Sequence, residues 1–311
     1  MAYTYLLRRA IVKRLIVVFN PRSSRYDKVR HDVINRLNSL KGYLIGKYEV
    51  EPTDLDHNIK KLSKLLKDGD LVISAGGDAT GIIASNAILM SEKDAMLSAL
   101  PYGNFNDLAR TLGTKSLDDI LFGETRELYP LEIYIDDKFF RYSTCYTTIG
   151  MTAAAVHIYD SPKMRAKLKS DIGRKIGSYT SLAGWYFKNR HKQVFMPEFV
   201  LNGLPVARKT SDYTAVNGRF MARVMKGRED YRDSEYFRSE IDYLVSFYRL
   251  SKMMAKSIFT RIPGSLTTKD TLEFLQPSTV VIQTEGEYRT CEKICKIEIK
   301  KSKKRLKVVE H

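Results

Sequence analysis

Two short segments carry the residues best suited to chemistry: Ser74-Ala75-Gly76-Gly77-Asp78-Ala79-Thr80 and Leu100-Pro101-Tyr102-Gly103-Asn104-Phe105-Asn106-Asp107-Leu108-Ala109-Arg110. Each is a small-residue turn between an apolar strand and a helix. Glycine there lets the backbone approach an anionic group with no Cβ in the way. The helix that follows points its unpaired N–H groups and positive dipole end at the same spot. Two such turns at the ends of neighbouring strands describe a phosphate site and, by extension, a nucleotide site. Thr80 is placed to offer a hydroxyl to a phosphate or to cap its helix. Asn106 and Asp107 are either a second polar anchor or a plain helix cap.

The pair resembles the diacylglycerol kinase catalytic domain, shared by bacterial lipid kinases and sphingosine kinases and, more remotely, by NAD kinases. That family reads Gly-Gly-Asp-Gly-Thr and then Pro-x-Gly-Thr-x-Asn-Asp-x-Ala-Arg. This chain keeps Gly76, Gly77, Asp78 and Thr80 of the first block, and Pro101, Gly103, Asn106, Asp107, Ala109 and Arg110 of the second. The Asn106 to Arg110 block favours the lipid branch over NAD kinase.

The resemblance implies further roles. Asn20-Pro21-Arg22-Ser23-Ser24 is similar to the family's Asn-Pro-x-Ser-Gly nucleotide loop, with Ser24 in place of glycine; a capped turn entering a helix is the plainer alternative. By the same resemblance ATP and Mg²⁺ are the cofactors. Asn20, Pro21, Ser23, Ser24, Gly76, Gly77, Asp78, Thr80, Gly103, Asn104 and Asn106 line the nucleotide site, and Asp78 and Asp107 are the metal carboxylates. Gln283-Thr284-Glu285-Gly286-Glu287 is similar to the family's Asp-Gly-Glu segment, whose acidic residue takes the proton of the lipid hydroxyl. Glu285 stands for the aspartate and Glu287 matches the glutamate; together with Asp78 they are the catalytic candidates. A solvated hairpin turn is the bland reading of the same residues.

Several positions depart from the family. Ala79 replaces the last glycine of the first block, so a positive φ there would be strained. Ile83 stands where a glutamate follows, Asn104 replaces a threonine, and Thr152 replaces an aspartate in Ile149-Gly150-Met151-Thr152. These changes leave two readings open: an ATP-dependent lipid kinase acting on diacylglycerol or a related lipid, or a catalytically degenerate lipid- or nucleotide-binding protein of the same fold.

The elements that must position these residues alternate strand and helix over residues 1–126. Apolar runs such as Leu15-Ile16-Val17-Val18-Phe19 read as strands buried on both faces. The pattern predicts a three-layer, Rossmann-like α/β nucleotide domain, whose ligands bind beyond the carboxyl ends of the strands. From about residue 128 the period changes to two. Residues 131–136 and 139–146 flank Asp136-Asp137-Lys138, which reads as a hairpin, and residues 279–283 and 294–300 read as short strands. Residues 127–311 read as a second, mostly antiparallel β domain, a β-sandwich in the related kinases, with a basic helical insert near residues 161–191. The family places its cleft between the two domains. Ile297, Ile299, Leu306 and Val308 suggest strand pairing in the tail, with lysines protecting a sheet edge.

Composition narrows the partners. Fifty-two Lys and Arg against 36 Asp and Glu give a net charge of +16 over 311 residues, which favours phosphate-rich partners. Charge does not choose among them; no nucleic-acid module is recognisable, and the resemblance implies a lipid substrate at an anionic membrane surface, with a homodimer left open. Three cysteines make neither a disulfide framework nor a zinc signature. No apolar stretch is long enough for a signal peptide or a membrane span. The expected location is cytoplasmic, at the inner membrane face.

Overall fold

The computed structural model describes residues 14–21, 23, 26–40, 42–159, 180, 183–184, 187–188, 196–206, 209–221, 225–226, 230–243 and 264–311. The chain divides into two compact units, Met1–Tyr129 with Lys303–His311, and Pro130–Ser302.

The first unit is built on β1 (Arg14–Phe19), β2 (Leu44–Glu49), β3 (Asp70–Gly76), β4 (Met96–Pro101), β5 (Glu124–Leu128) and β18 (Leu306–Glu310). Their order is β2-β1-β3-β4-β18-β5, and β1 to β4 run parallel. The crossovers are helical: α1 (Tyr26–Asn38), α2 (Leu55–Leu65) and α3 (Asp78–Ser91), followed by the short α4 (Asp107–Thr111) and α5 (Leu117–Phe122). Alternate residues explain the layering. Leu15, Val17, Phe19, Leu71, Ile73 and Ala75 pack with Val29, Val33 and Leu37 of α1 and with Leu117, Ile120 and Leu121 of α5. Ile16, Val18 and Val72, on the opposite face, are equally buried. Both sheet faces are therefore covered, as a parallel sheet requires.

The strand order reverses between β1 and β3, because β2 lies on one side of β1 and β3 on the other. Ligands in open α/β sheets bind at such a switch point.

One boundary needs correcting. The second domain does not run from 127 to 311, because residues 303–311 return to the first unit. There β18 lies between β4 (parallel) and β5 (antiparallel), so its Lys307 does not guard an edge. The Ser98 hydroxyl donates to the Val309 carbonyl at 3.0 Å. Leu306, Val308 and Val309 are fully buried. A period-two pattern marks a strand without saying which sheet receives it.

The second unit is an antiparallel β unit. Its strands are β6 (Leu131–Ile135), β7 (Lys138–Ser143), β8 (Tyr146–Gly150), β9 (Phe199–Leu201), β10 (Leu204–Pro205), β11 (Asp212–Val216), β12 (Phe220–Met221), β13 (Met225–Lys226), β14 (Phe237–Asp242), β15 (Ser265–Thr267), β16 (Lys269–Thr284) and β17 (Glu287–Lys301). One sheet runs β15-β14-β11-β8-β16-β17-β6-β7, with β9 attached to β16 and β10 to β9; β12 and β13 pair separately. The helix α6 (Met151–Tyr159) follows β8, and the described residues 180, 183–184 and 187–188 are also helical. The basic insert expected near 161–191 lies almost wholly outside the described residues.

The largest surprise in this unit is the length of β16 and β17, which form one hairpin where the sequence suggests short, separate strands. The pairing register shifts between Glu273 and Val280. Pro277, which has no N–H to give a ladder, falls inside that irregularity. Inward-facing Leu272, Ile282, Ile297 and Ile299 join Tyr213, Phe237 and Ile133 in the core.

Candidate functional site

Three loops leave the carboxyl ends of adjacent strands at one level, because Phe19 is in register with Ala75 and Gly76 with Pro101. The loop after β1 holds Asn20, Pro21 and Ser23; Ser24 lies outside the described residues. The Ser23 N–H donates to the Asn20 carbonyl at 2.9 Å. The Ser23 hydroxyl reaches the Tyr102 carbonyl in the loop after β4 at 3.2 Å. The structure thus brings the candidate loop of β1 onto the second glycine turn, 79 residues away.

The two glycine turns are bound to each other even more closely. Asp78, the first residue of α3, accepts the Asn106 N–H at 3.0 Å on one carboxylate oxygen and the Asp107 N–H at 2.7 Å on the other. It supplies the cap that α4 lacks, since Asn106 makes no side-chain cap of its own. Asn106 sits at φ +56°. Its amide closes its own turn, accepting from the Gly103 N–H at 2.5 Å and donating to the Gly103 carbonyl at 2.9 Å. A Cβ on Gly103 would lie 2.2 Å from the Gly77 Cα. Glycine is required here because two backbones touch, a reason additional to the approach of an anion.

Gly77 caps α3 without a side chain. Within the first turn of that helix, the Thr80 hydroxyl is buried and has no hydrogen-bond partner. It lies over Gly76, where a Cβ would come within 2.3 Å of Oγ1. A buried hydroxyl without a partner costs about 1–3 kcal/mol. An uncapped helix start, a dipole end and an orphan hydroxyl together suit an anionic group.

Two expectations change. Ala79 is helical and does not adopt positive φ, so its Cβ brings no strain. Ile83 is buried in α3, where an apolar residue suits its surroundings. Asn104 lies in the loop after β4, partly exposed. Asp107 is fully buried, with Arg110 Nη1 at 3.4 Å. Among the described residues no group of three or more His, Cys, Asp or Glu side chains converges as a metal cage. A Mg²⁺ ion usually takes only one or two carboxylates, with phosphate oxygens and water completing its shell. At these turns both Asp78 oxygens accept N–H groups, and Asp107 is buried beside Arg110.

In the second unit, Glu285 and Gly286 form the two-residue turn between β16 and β17, both at positive φ, as a tight hairpin demands. The solvated-turn reading fails for Glu285, whose side chain is only 2% exposed. Its Oε1 accepts the Thr144 N–H, the Thr144 hydroxyl at 2.7 Å, the Cys145 N–H at 2.6 Å and the Ser143 hydroxyl at 3.2 Å. Burial raises the carboxyl pKa, while the donors from Thr144, Cys145 and Ser143 pull the other way. Glu287 is the first residue of β17, paired with Thr284 and partly exposed.

Ser143, Thr144 and Cys145, which join β7 to β8, are the residues that sequence reasoning missed. A polar Ser-Thr after the alternating Phe139 to Tyr142 run was the available signal, but nothing local links it to a turn 140 residues on. Thr152, the other departure, donates its N–H to the buried Asp212 carboxylate at 2.6 Å. A carboxylate from β11 thus stands beside the position that lost one.

Residues 14–127 match the family described as the diacylglycerol kinase catalytic domain. A diacylglycerol kinase of Bacillus subtilis (strain 168) is 29% identical over 126 residues. That alignment spans 38% of this chain and 41% of the relative, less than half of either. A crystal structure of a diacylglycerol kinase from Bacillus anthracis str. Sterne superposes with a TM-score of 0.66, covering 96% of this chain and 97% of that one at 13% identity. A second crystal structure from the same strain gives a TM-score of 0.65, with 96% and 98% coverage and 13% identity. Identity that low speaks for the fold alone.

Proposed function

We infer, from a chain whose residues 14–127 match the diacylglycerol kinase catalytic domain family, that this protein is an ATP-dependent kinase of a lipid hydroxyl, with diacylglycerol or a close relative as acceptor. The γ-phosphoryl group passes to the lipid oxygen, the terminal P–O bond of ATP breaks, ADP leaves, and the hydroxyl proton goes to a carboxylate. The nucleotide phosphates belong at the Gly76–Thr80 turn and the loops of Asn20 and Gly103. Mg²⁺, held by the phosphates with Asp78 and Asp107, would neutralise charge on the transferring group. Glu285 is the base. Burial raises its carboxyl pKa, the direction that favours general-base work.

The observation that carries this reading is the buried, unpartnered Thr80 hydroxyl at an uncapped helix start. The net charge of +16 supports docking at an anionic bilayer, where each well-placed cation contributes about 1 kcal/mol. No described helix is long and apolar enough to cross a membrane.

The test is transfer of labelled phosphate from ATP with Mg²⁺ to mixed lipid vesicles. Thr80→Val keeps the shape and removes the hydroxyl, whereas Asp78→Ala also unbraces the turns. Labelled lipid from wild type, lost in a folded Thr80→Val protein, supports the kinase. ATP binding without product on diacylglycerol, ceramide or isoprenoid alcohols overturns it in favour of a degenerate binding protein.

A further inference from the structure

The Thr144–Cys145 link that holds Glu285 is itself held from behind. Its N–H groups face Glu285, and its carbonyls face the opposite way. The Thr144 carbonyl accepts Asn217 Nδ2 at 2.9 Å. The Cys145 carbonyl accepts the N–H groups of both Asn217 and Gly218 at 2.7 Å. Asn217 is fully buried.

A buried amide can turn over, exchanging its donor and acceptor ends, unless its surroundings forbid it. Here the constraint is Lys301, whose ammonium donates to Asn217 Oδ1 and, at 2.5 Å, to the Tyr231 carbonyl. Below its pKa of about 7 the Lys301 side chain is an ammonium, which has only donors. It therefore demands the oxygen of Asn217 and turns the NH₂ toward Thr144. Lys301 ends β17, the strand that begins just after Glu285, and the two side chains have no common partner.

We propose that Lys301 and Asn217 are positioning residues for Glu285: Lys301 fixes the Asn217 amide, and Asn217 holds the Thr144–Cys145 peptides whose N–H groups and hydroxyl bind Glu285 Oε1. Its catalytic consequence rests on Glu285 being the base. Lys301 is not an ordinary surface cation. Burial pushes its pKa down from 10.5 to about 7, with Asp230 and Asp233 raising it and Arg232 lowering it further. Its hydrogen-bond partners are two neutral oxygens.

The experiment compares full-length wild type, Lys301→Met, Lys301→Arg and Asn217→Asp by two readouts. The first is the titration of the Glu285 carboxyl, followed by NMR in protein carrying ¹³C-labelled glutamate and assigned with Glu285→Gln. Loosening the link weakens donors to the carboxylate, so the pKa should rise by about one unit in Lys301→Met and in Asn217→Asp. The second is phosphate transfer to diacylglycerol vesicles. There kcat should fall by up to about 100-fold while KM for ATP stays unchanged, and Lys301→Arg should recover part of the loss. An unmoved Glu285 titration in a folded variant overturns the proposal. A moved titration in a protein whose wild type transfers no phosphate leaves the positioning role standing and removes the kinase. Should Lys301→Met fail to fold, Asn217→Asp decides by the same two outcomes.

Discussion

The glycine turns of the first unit and the Glu285 turn of the second are built by opposite means. The first is a backbone site. Its loops leave neighbouring parallel strands together, so topology alone gathers residues 20, 21 and 23 with 76–80 and 103–107, and Asp78 fastens the last two through N–H groups. The second is a side-chain site, in which one carboxylate gathers donors from a strand link about 140 residues away. The comparison teaches where damage should appear. Changes in the first should cost stability along with function, whereas changes in the second should cost function with the fold left standing.

The severest test of that contrast is Gly103→Ala. A Cβ 2.2 Å from the Gly77 Cα must push two backbones apart. We expect about 3 kcal/mol of lost stability in urea unfolding, together with loss of nucleotide binding. Glu285→Gln should do the reverse. Phosphate transfer should fall by about 10²- to 10⁴-fold, with a melting temperature at or above that of wild type, because a buried charge is removed. A large drop in melting temperature would erase the distinction between the two regions.

Asp78→Ala comes next. It strands the buried N–H groups of Asn106 and Asp107 and should destabilise the protein by about 2 kcal/mol in the same unfolding assay.

The pH dependence sharpens the comparison within the second unit. A carboxyl whose pKa is raised on folding binds more protons in the native state. Glu285 therefore lowers stability as pH rises from its ordinary range, near 4.5, through its raised value. Lys301 acts in the other direction. Between about pH 7 and 10.5 the unfolded chain carries the proton and the folded chain does not, so stability should rise with pH across that window. Urea midpoints of wild type and Lys301→Met from pH 6 to 10 should show the rise in the first and its absence in the second.

The smallest effect belongs to Ser23→Ala. Losing one part-buried bond to the Tyr102 carbonyl should cost about 1 kcal/mol or less. A modest increase in the ATP dissociation constant, read by calorimetry, would place Ser23 at the nucleotide.

The two regions were unequally legible. In the first unit, the apolar run 15–19 and the turn at 76–77 lie within a few residues of what they control, so strand, turn and helix could all be placed from the sequence. Even there the pattern missed Asp78 as the brace between turns, because its partners are N–H groups 28 and 29 residues away. It also raised a false alarm at Ala79, where the backbone turns helical one residue earlier than a glycine requirement would need. In the second unit, alternation found the strands and a hairpin at Asp136-Asp137, but it fragmented β16 and β17. It also left Glu285 undecided between a base and a solvated turn. Its burial depends on Ser143, Thr144 and Cys145, which only the pairing of β8 with β16 brings near.

By itself, then, the sequence determined the α/β-then-β order, the two phosphate-type turns and the family they resemble, because those features rest on local periodicity and on glycine's missing Cβ. The tertiary structure alone decided that β18 returns to the first sheet, that Gly103 meets Gly77, and that Glu285 is buried above a link held by Asn217 and Lys301. Each of these is a contact between residues far apart in the chain, and such contacts are set by sheet topology and packing, which local patterns do not encode.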